Sequence, residues 1–436
     1  MNTSNLSNNQ INSISTRYKS SKLQSNTVRK RIEIFLTNDI LYWFIFFIAI
    51  TPMSVPFPKL LLPIEFVYTS IIFFMKKKRL SNILIYLSIL WVIINILAFY
   101  RNISLNITSS PLPIFKEIMR LFLAYMIMSL LGNEFFYTLE IWLYKLSVLS
   151  LPLFILEIIY RPLFFRIAPY LNFATVEEQK LAGGWYGGFY TFNAWSAGRN
   201  SGFMWEAGGF AFILIFLIIF RLYQNSLKID KHIIVYFICL ATTLSTAGIL
   251  AGFVLLLAYL VSKYRYLFPI MLIPLFVYIF ISQIWQLEFL GPKINRYLYN
   301  INQTYDWSFG SNYMLRVNRF GIFYYAVKQS FSYPLGYGVF PVLGFIEEFG
   351  AEIKGPNSLA AVLIRWGWIG FILYILGLWN TSKYLFKKHT NLFQIMIAIA
   401  VAMTLFSNSL DQNLLVYCFL LYPFADKNNY STYVYS

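Results

Sequence analysis

Long apolar runs alternate with short polar segments along nearly the whole chain. A membrane-spanning helix needs about 20 mostly apolar residues, and such runs recur between residues 40 and 424. The pattern predicts twelve spans, at 40–57, 60–75, 80–100, 112–131, 139–160, 205–222, 232–246, 248–262, 266–285, 357–379, 391–408 and 411–424. We therefore expect an all-α polytopic membrane protein with a single transmembrane domain.

The polar segments predict the topology. Residues 1–39 are rich in Asn, Ser, Lys and Arg, which indicates a disordered basic tail and not a signal peptide. Lys and Arg gather in the short loops of one side, above all in the KKKR run at 76–79, as is typical of cytoplasmic loops. Both termini, including a short tail at 425–436, are therefore expected to be cytoplasmic. Two long loops, about 161–204 and 286–356, are then extracytoplasmic and are expected to contain short helices.

Composition agrees with this class and narrows the chemistry. Hydrophobic residues make up 58% of the 436 residues and charged residues only 12%, whereas soluble domains carry roughly 25%. Two cysteines and two histidines leave little material for a disulfide framework, a metal site or catalysis by histidine. The net charge of +17 lies mainly in loops and tails, so it does not indicate nucleic-acid binding. No cofactor and no metal are expected.

The stretch SAGRNSGFMWEAGGFAF places Arg199 and Glu206 among glycines at the start of a span. An interfacial helix start explains both charges, because Arg snorkels and Glu lies near the positive end of the helix dipole. An anion site beside a carboxylate explains them equally well. In that case Gly202, Gly208 and Gly209 would let the backbone approach a ligand closely. The residues alone leave both explanations open.

Further arginines lie near the outer ends of spans and in the second long loop. Arg316 and Arg319 are three apart and would share a face of a helix, which the following YPLGYG would end. A basic helix on lipid headgroups is the alternative, but Arg in place of Lys favours bidentate phosphate binding. Arg365 falls about 13 Å below the outer end of its span, a depth at which Arg faces protein or a watery cavity. Arg120, with Lys116 on the same face, either snorkels or joins that cavity.

Taken together, these stretches resemble the O-antigen polymerase and ligase superfamily of bacterial envelope glycosyltransferases. A family motif of Arg followed by Gly and Phe maps onto Arg199, Gly202 and Phe203, with Glu206 in the acidic position that polymerases often show. The large loop of the family often carries an Arg, an aromatic residue, an Ala, a Pro and paired glycines. The corresponding residues here are Arg319, Phe323, Ala326, Pro334, Gly336 and Gly338.

The next span both fits the family and departs from it. Asn357, Gly367 and Gly370 match, but Pro356 stands where ligases typically have His, and Arg365 replaces a common Glu. Without that His, the resemblance favours a Wzy-type polymerase over a ligase. The alternative outside the enzymes is a flippase for the same lipid-linked sugar. A flippase would carry cations through the middle of many spans, whereas here they gather at outer ends and in outside loops.

The resemblance implies a polymerase of the bacterial inner membrane that acts on the extracytoplasmic side without a nucleotide. Its donor would be a glycan on undecaprenyl diphosphate, and its acceptor a sugar hydroxyl of an incoming lipid-linked repeat unit. Membrane lipids surround it, and the sequence does not say whether a chain-length regulator protein binds it.

The same resemblance implies roles for the candidate residues. Arg199, Arg319 and Arg365 would bind the diphosphate, with Arg316 and Arg120 behind them. Glu206 would be the base, because the chain has no suitable His. Loop alternatives for the base are Glu347, Glu348 and Glu352.

Overall fold

The structure is a computed structural model that describes residues 58–103, 112–167, 170, 185–187, 190–192, 198–264, 285–286, 291–300, 305–309, 312–342, 345–346 and 352–433. The helices are α1 (Pro58–Met75), α2 (Asn82–Ile103), α3 (Leu112–Leu131), α4 (Asn133–Ile159), α5 (Arg161–Ile167), α6 (Ala207–Gln224), α7 (Lys231–Thr242), α8 (Thr246–Lys263), α9 (Gly291–Tyr299), α10 (Arg319–Ser332), α11 (Ser358–Leu385), α12 (Asn391–Phe406) and α13 (Leu414–Tyr433). The strands are β1 (Trp185–Gly187), β2 (Tyr190–Phe192), β3 (Tyr305–Phe309), β4 (Asn312–Arg316) and β5 (Glu352–Lys354). The described part of the chain is therefore mostly helical, with two small sheets that the apolar pattern did not predict.

The helices identify a membrane-spanning protein. Within the described residues, α2, α4, α6, α8 and α11 are long and apolar enough to cross a membrane, and α1, α7, α12 and α13 contain shorter apolar stretches. The predicted span at 40–57 and residues 266–284 of another predicted span lie outside the described residues, so the total of twelve stays a prediction. α13 continues to Tyr433, past the expected end at residue 424, because helical hydrogen bonding does not depend on the apolar character that set the predicted boundary.

α6 lies inside the helix bundle. Its sequence is hydrophobic on every face, which is the pattern of a helix enclosed by others, and every residue of 207–220 is buried. α4, α7, α8 and α12 pack against it. A Cβ on Gly248 of α8 would lie only 2.5 Å from the Cβ of Ala211, so the first turns of α6 and α8 approach closely.

One end of the bundle gathers several helix starts. Asn408, in the loop that follows α12, donates from Nδ2 to the carbonyl oxygen of Gly208 at 3.2 Å, and its own carbonyl oxygen accepts from the Ser358 N–H at 2.8 Å. The Nδ2 of Asn357 donates to the carbonyl oxygen of Arg319 at 2.9 Å. We call this region the site end: the first turns of α6, α8, α10 and α11 with the loop that follows α12.

α11 is interrupted at Gly367, and the turn after α10 fills the interruption. Gly367 has φ 63° and ψ −166°, and a Cβ there would lie 2.1 Å from the carbonyl oxygen of Pro334. The Trp368 N–H donates to that same oxygen at 2.8 Å, and the Gly338 N–H donates to the carbonyl oxygen of Arg365 at 3.0 Å. The turn thereby satisfies backbone groups that the broken helix leaves open, and it fixes the backbone at Arg365.

The two long loops contain short elements that adjoin the site end. In the first loop, β1 and β2 form an antiparallel hairpin, and the Thr191 N–H donates to the carbonyl oxygen of Gly202 at 2.6 Å. In the second loop, β4 pairs antiparallel with β3 and parallel with β5, while α9 packs against α10. Both loops therefore contribute backbone structure close to the candidate residues.

Candidate functional site

A cavity of ≈ 690 Å³ lies at the site end. Glu206 and Arg365 both line it, and so does Asp411. Trp205 adds an aromatic ring and Asn357 an amide, among apolar side chains. An apolar lining with a few polar and charged groups is typical of a pocket for an organic ligand with polar substituents.

Glu206 is the residue immediately before α6. Its backbone is extended and its side chain does not cap its own helix, and the residue lines the cavity of ≈ 690 Å³. Two of the nearby glycines, Gly202 and Gly208, also approach other parts of the protein closely. A Cβ on Gly208 would lie 2.4 Å from Oδ1 of Asn408, and a Cβ on Gly202 would lie 2.8 Å from the ring of Phe210. These two glycines let the protein pack closely on itself.

Arg199 lies in the bend before α6, against the end of α7. Its Nε donates to the carbonyl oxygen of Thr243 at 3.0 Å. The neighbouring Asn200 N–H donates to the carbonyl oxygen of Thr242 at 3.0 Å, and Asn200 Oδ1 accepts from the Gly202 N–H at 2.9 Å. These bonds fix the half-buried Arg199 relative to α6 and α7.

Arg319 is the first residue of α10. Oδ1 of Asn318 accepts from the N–H groups of Phe320 and Gly321 at 3.0 and 2.9 Å, which is how Asn starts a helix. Arg316 ends β4 on the other side of this cap. The prediction that Arg316 and Arg319 share a face of one helix is therefore wrong, because the cap separates a strand from a helix between them.

A second cavity at the site end brings in a residue that the sequence did not single out. It has a volume of ≈ 350 Å³, and its lining is mostly apolar, with Arg319, Thr246 at the start of α8 and Lys293 of α9 among its polar residues. Burial, and then the charges of Arg199 and Arg319, lower the pKa of Lys293 to about 8. Glu206 acts on Lys293 in the opposite direction.

These electrostatic effects identify near neighbours, because Coulomb interactions fall with distance and with screening by solvent. We call Arg199, Lys293 and Arg319 the cation cluster. Glu206 therefore adjoins the cation cluster and also lines the larger cavity.

Arg365 and Arg120 each pair with a carboxylate. Nη1 of Arg365 lies 2.7 Å from Oδ2 of Asp411, and Nη1 of Arg120 lies 3.2 Å from Oε2 of Glu117. The Tyr417 hydroxyl donates to the other oxygen of Glu117. Arg365 and Arg120 are the two diphosphate candidates that lie on predicted spans, and each already has a carboxylate partner inside the protein.

The remaining candidates lie in or beside the small sheet of the second loop. Arg316 in β4 pairs in register with Lys354 in β5, which also contains Glu352. Glu347 and Glu348 fall outside the described residues. Within the described ranges, no three residues of the His, Cys, Asp and Glu types come together in a way that could hold a metal ion.

No protein-family model, curated protein or solved structure matches this chain. The superfamily resemblance therefore rests on the sequence motifs given above. Arg199 and Glu206 belong to one of these motifs and Arg319 to another, and the charges of all three act on Lys293 at the site end.

Proposed function

We propose that this protein is a bacterial glycosyltransferase of the O-antigen polymerase type. It joins oligosaccharide repeat units that are carried on undecaprenyl diphosphate, and it uses no nucleotide. The observation that carries the proposal is the convergence of the cation cluster and Glu206 beside a cavity of ≈ 690 Å³. A diphosphate leaving group needs positive charges, and a sugar hydroxyl that loses its proton needs a base such as a carboxylate.

The cation cluster receives the leaving group. During transfer, the bond between the anomeric carbon and the diphosphate oxygen breaks, and its electron pair stays on the diphosphate. Fixed positive charges aimed at that developing charge lower the barrier most in a site that excludes water. Arg199 and Arg319 supply such charges: Nε of Arg199 donates to the carbonyl oxygen of Thr243, and the backbone of Arg319 is fixed by the bond from Nδ2 of Asn357 to its carbonyl oxygen.

Glu206 receives the proton of the acceptor. The incoming sugar hydroxyl forms the new bond to the anomeric carbon and gives its proton to the carboxylate. Products are then the lengthened glycan on the acceptor lipid and free undecaprenyl diphosphate. The position of Glu206 supports this role, because the residue lines the larger cavity and its charge acts on Lys293 of the cation cluster.

The larger cavity holds the sugars nearest the reacting bond. Trp205 offers a ring face, and Gln412 offers an amide group for hydroxyls. The ion pair between Arg365 and Asp411 also lines the cavity. Because Arg365 is already paired, we place it among the groups that orient sugar or diphosphate oxygens, behind Arg199 and Arg319.

The protein acts at the bacterial cytoplasmic membrane, with the site end on the extracytoplasmic side and both termini in the cytoplasm. The distribution of Lys and Arg supports this orientation. The end of the bundle opposite the site end carries the KKKR run at 76–79 and the basic ends of α6, α8 and α11. Cytoplasmic loops carry this excess in membrane proteins.

The proposal is tested in cells of the source bacterium that lack this protein and receive it back on a plasmid. We expect the deletion to leave surface glycan as single repeat units, and the wild-type plasmid to restore a ladder of lengths. Arg319→Ala should insert in the membrane normally and fail to restore the ladder. Unflipped units that accumulate on the inner face would instead indicate a flippase, and long free glycan that is never attached to its acceptor would indicate a ligase.

A further inference from the structure

Lys293 lies on the short helix α9, and the start of this helix is fixed. The Gly291 N–H donates to the carbonyl oxygen of Trp285 at 3.1 Å, and a Cβ on Gly291 would lie 2.1 Å from that same oxygen. α9 also packs against α10, whose first residue is Arg319. Lys293 therefore occupies a defined place next to Arg319, where both line the cavity of ≈ 350 Å³.

The surroundings of Lys293 favour an anion. Arg199 and Arg319 both repel its positive charge, and Glu206 acts in the opposite direction. Arginines keep their charge at any physiological pH, so the repulsion cannot be relieved by deprotonating them. The first residues of α8, Thr246 and Ala247, line the same cavity, and a helix start adds positive potential.

We propose that Lys293 is a third ligand of the donor diphosphate, beside Arg199 and Arg319. This rests on the proposed function, since the diphosphate is the donor's leaving group. The Lys293 ammonium would donate hydrogen bonds to diphosphate oxygens. The negative charge of the diphosphate would in turn offset the repulsion between Lys293 and the two arginines. Binding of the anion is then coupled to the protonation of this side chain.

The coupling has a definite sign. Below pH 8 the free protein already carries the proton on Lys293, and the anion binds at full strength. Because the pKa of Lys293 is about 8 in the free protein and rises in the complex, the apparent affinity should fall as pH increases above that value. One linked proton gives a fall of up to about tenfold per pH unit.

The experiment uses full-length protein in lipid nanodiscs, with undecaprenyl diphosphate and inorganic pyrophosphate as separate probes. Binding is measured between about pH 6.5 and pH 10, the range in which a shifted Lys titrates. The variants are Lys293→Arg, which keeps its charge, and Lys293→Met, which has none. Arg296→Met is the matched control, because it removes a positive charge from an exposed position of the same helix.

We expect Lys293→Met to bind both probes about 10- to 100-fold more weakly near neutral pH, as loss of a charged hydrogen-bond donor does. Lys293→Arg should keep tight binding and lack the decline that wild type shows above pH 8. The phosphate groups of both probes also lose protons in this pH range. They do so equally in the experiments with wild type and with Lys293→Arg, so the difference between the two pH profiles reports on Lys293 alone. Arg296→Met should behave as wild type.

The inference is overturned if Lys293→Met binds as wild type does, or if wild type and Lys293→Arg show the same pH profile. A Lys293→Met protein that fails to fold leaves the comparison with Lys293→Arg as the deciding measurement. Because neither probe carries a sugar, this result is independent of polymerisation. Tight, Lys293-dependent binding without glycan ladders would retain the anion site and reject the proposed reaction.

Discussion

Glu206 and Arg365 line one cavity, although one precedes α6 and the other lies in the second turn of α11. The contact between the two helix starts passes through Asn408, which donates to Gly208 and accepts from Ser358. The candidate base therefore shares its cavity with the ion pair that Arg365 makes with Asp411. The account of the site depends on this arrangement, and each of its parts can be tested by substitution.

Loss of either arginine of the cation cluster should abolish efficient polymerisation. We expect Arg199→Ala and Arg319→Ala each to slow glycan extension by about 100-fold or more, as loss of one group that stabilises transition-state charge does. Lys383→Ala, near the opposite end of α11, is the control and should keep its rate. The rates are measured at equal amounts of protein in the membrane. Normal extension by both arginine variants would reject the assignment of the leaving-group site.

Glu206→Gln should lower kcat by about 100- to 10,000-fold, because the amide keeps the shape of the side chain but accepts no proton. KM for the lipid-linked unit should change little. Glu134→Gln, an exposed carboxylate at the start of α4, should leave kcat unchanged. If Glu206→Gln polymerises at the wild-type rate, Glu206 is not the base, and Glu352 is the next carboxylate to substitute.

The ion pair between Arg365 and Asp411 should make the effects of two substitutions on the free energy of unfolding non-additive. Arg365→Gln and Asp411→Asn each leave one charge without its partner, whereas the double variant removes both. Because 33% of the Arg365 side chain but only 12% of the Asp411 side chain is exposed, the coupling should be at least about 1 kcal/mol. Unfolding in detergent measures it through the four proteins of the cycle. Strictly additive effects would show that the pair contributes nothing to stability.

Gly367→Ala should lower the free energy of unfolding by more than the cost of placing an alanine at a residue with positive φ. The new Cβ would meet the carbonyl oxygen of Pro334 at 2.1 Å, so the turn after α10 must move out of the break in α11. Gly198→Ala is the matched control, since Gly198 has φ 84° but no atom of the described residues lies within 4 Å of the place its Cβ would take. The control should cost only about 1–2 kcal/mol. Thermal unfolding compares the two, and equal losses would show that the turn adapts without cost.

The sequence predicted the class of the fold because apolar runs of spanning length are a local property. Helices lie at the positions expected for α2, α6 and α8, for example, to within a few residues. The break at Gly367 could not be predicted in the same way, because it depends on the turn at Pro334 far away in the chain. The small sheet around β4 was missed for a similar reason, since β5 reaches it from a distant part of the loop.

The candidate site was predictable residue by residue but not as an arrangement. Arg199, Glu206 and Arg319 were singled out by charge at unusual positions. Their proximity is a tertiary property that no spacing in the sequence expresses. Lys293 was not singled out for this reason. The pairing of Arg365 with Asp411 was equally hidden, because Asp411 precedes a different span.

Purified protein with its lipid-linked repeat unit, in the presence of EDTA and without any nucleotide, tests the central claim most directly. We predict that wild type converts the units into a ladder of lengths and releases one undecaprenyl diphosphate for each new glycosidic bond. Arg319→Ala, equally folded, should leave single units. Folded wild-type protein that forms no ladder from a suitable unit, or that needs a divalent metal to do so, would contradict the account.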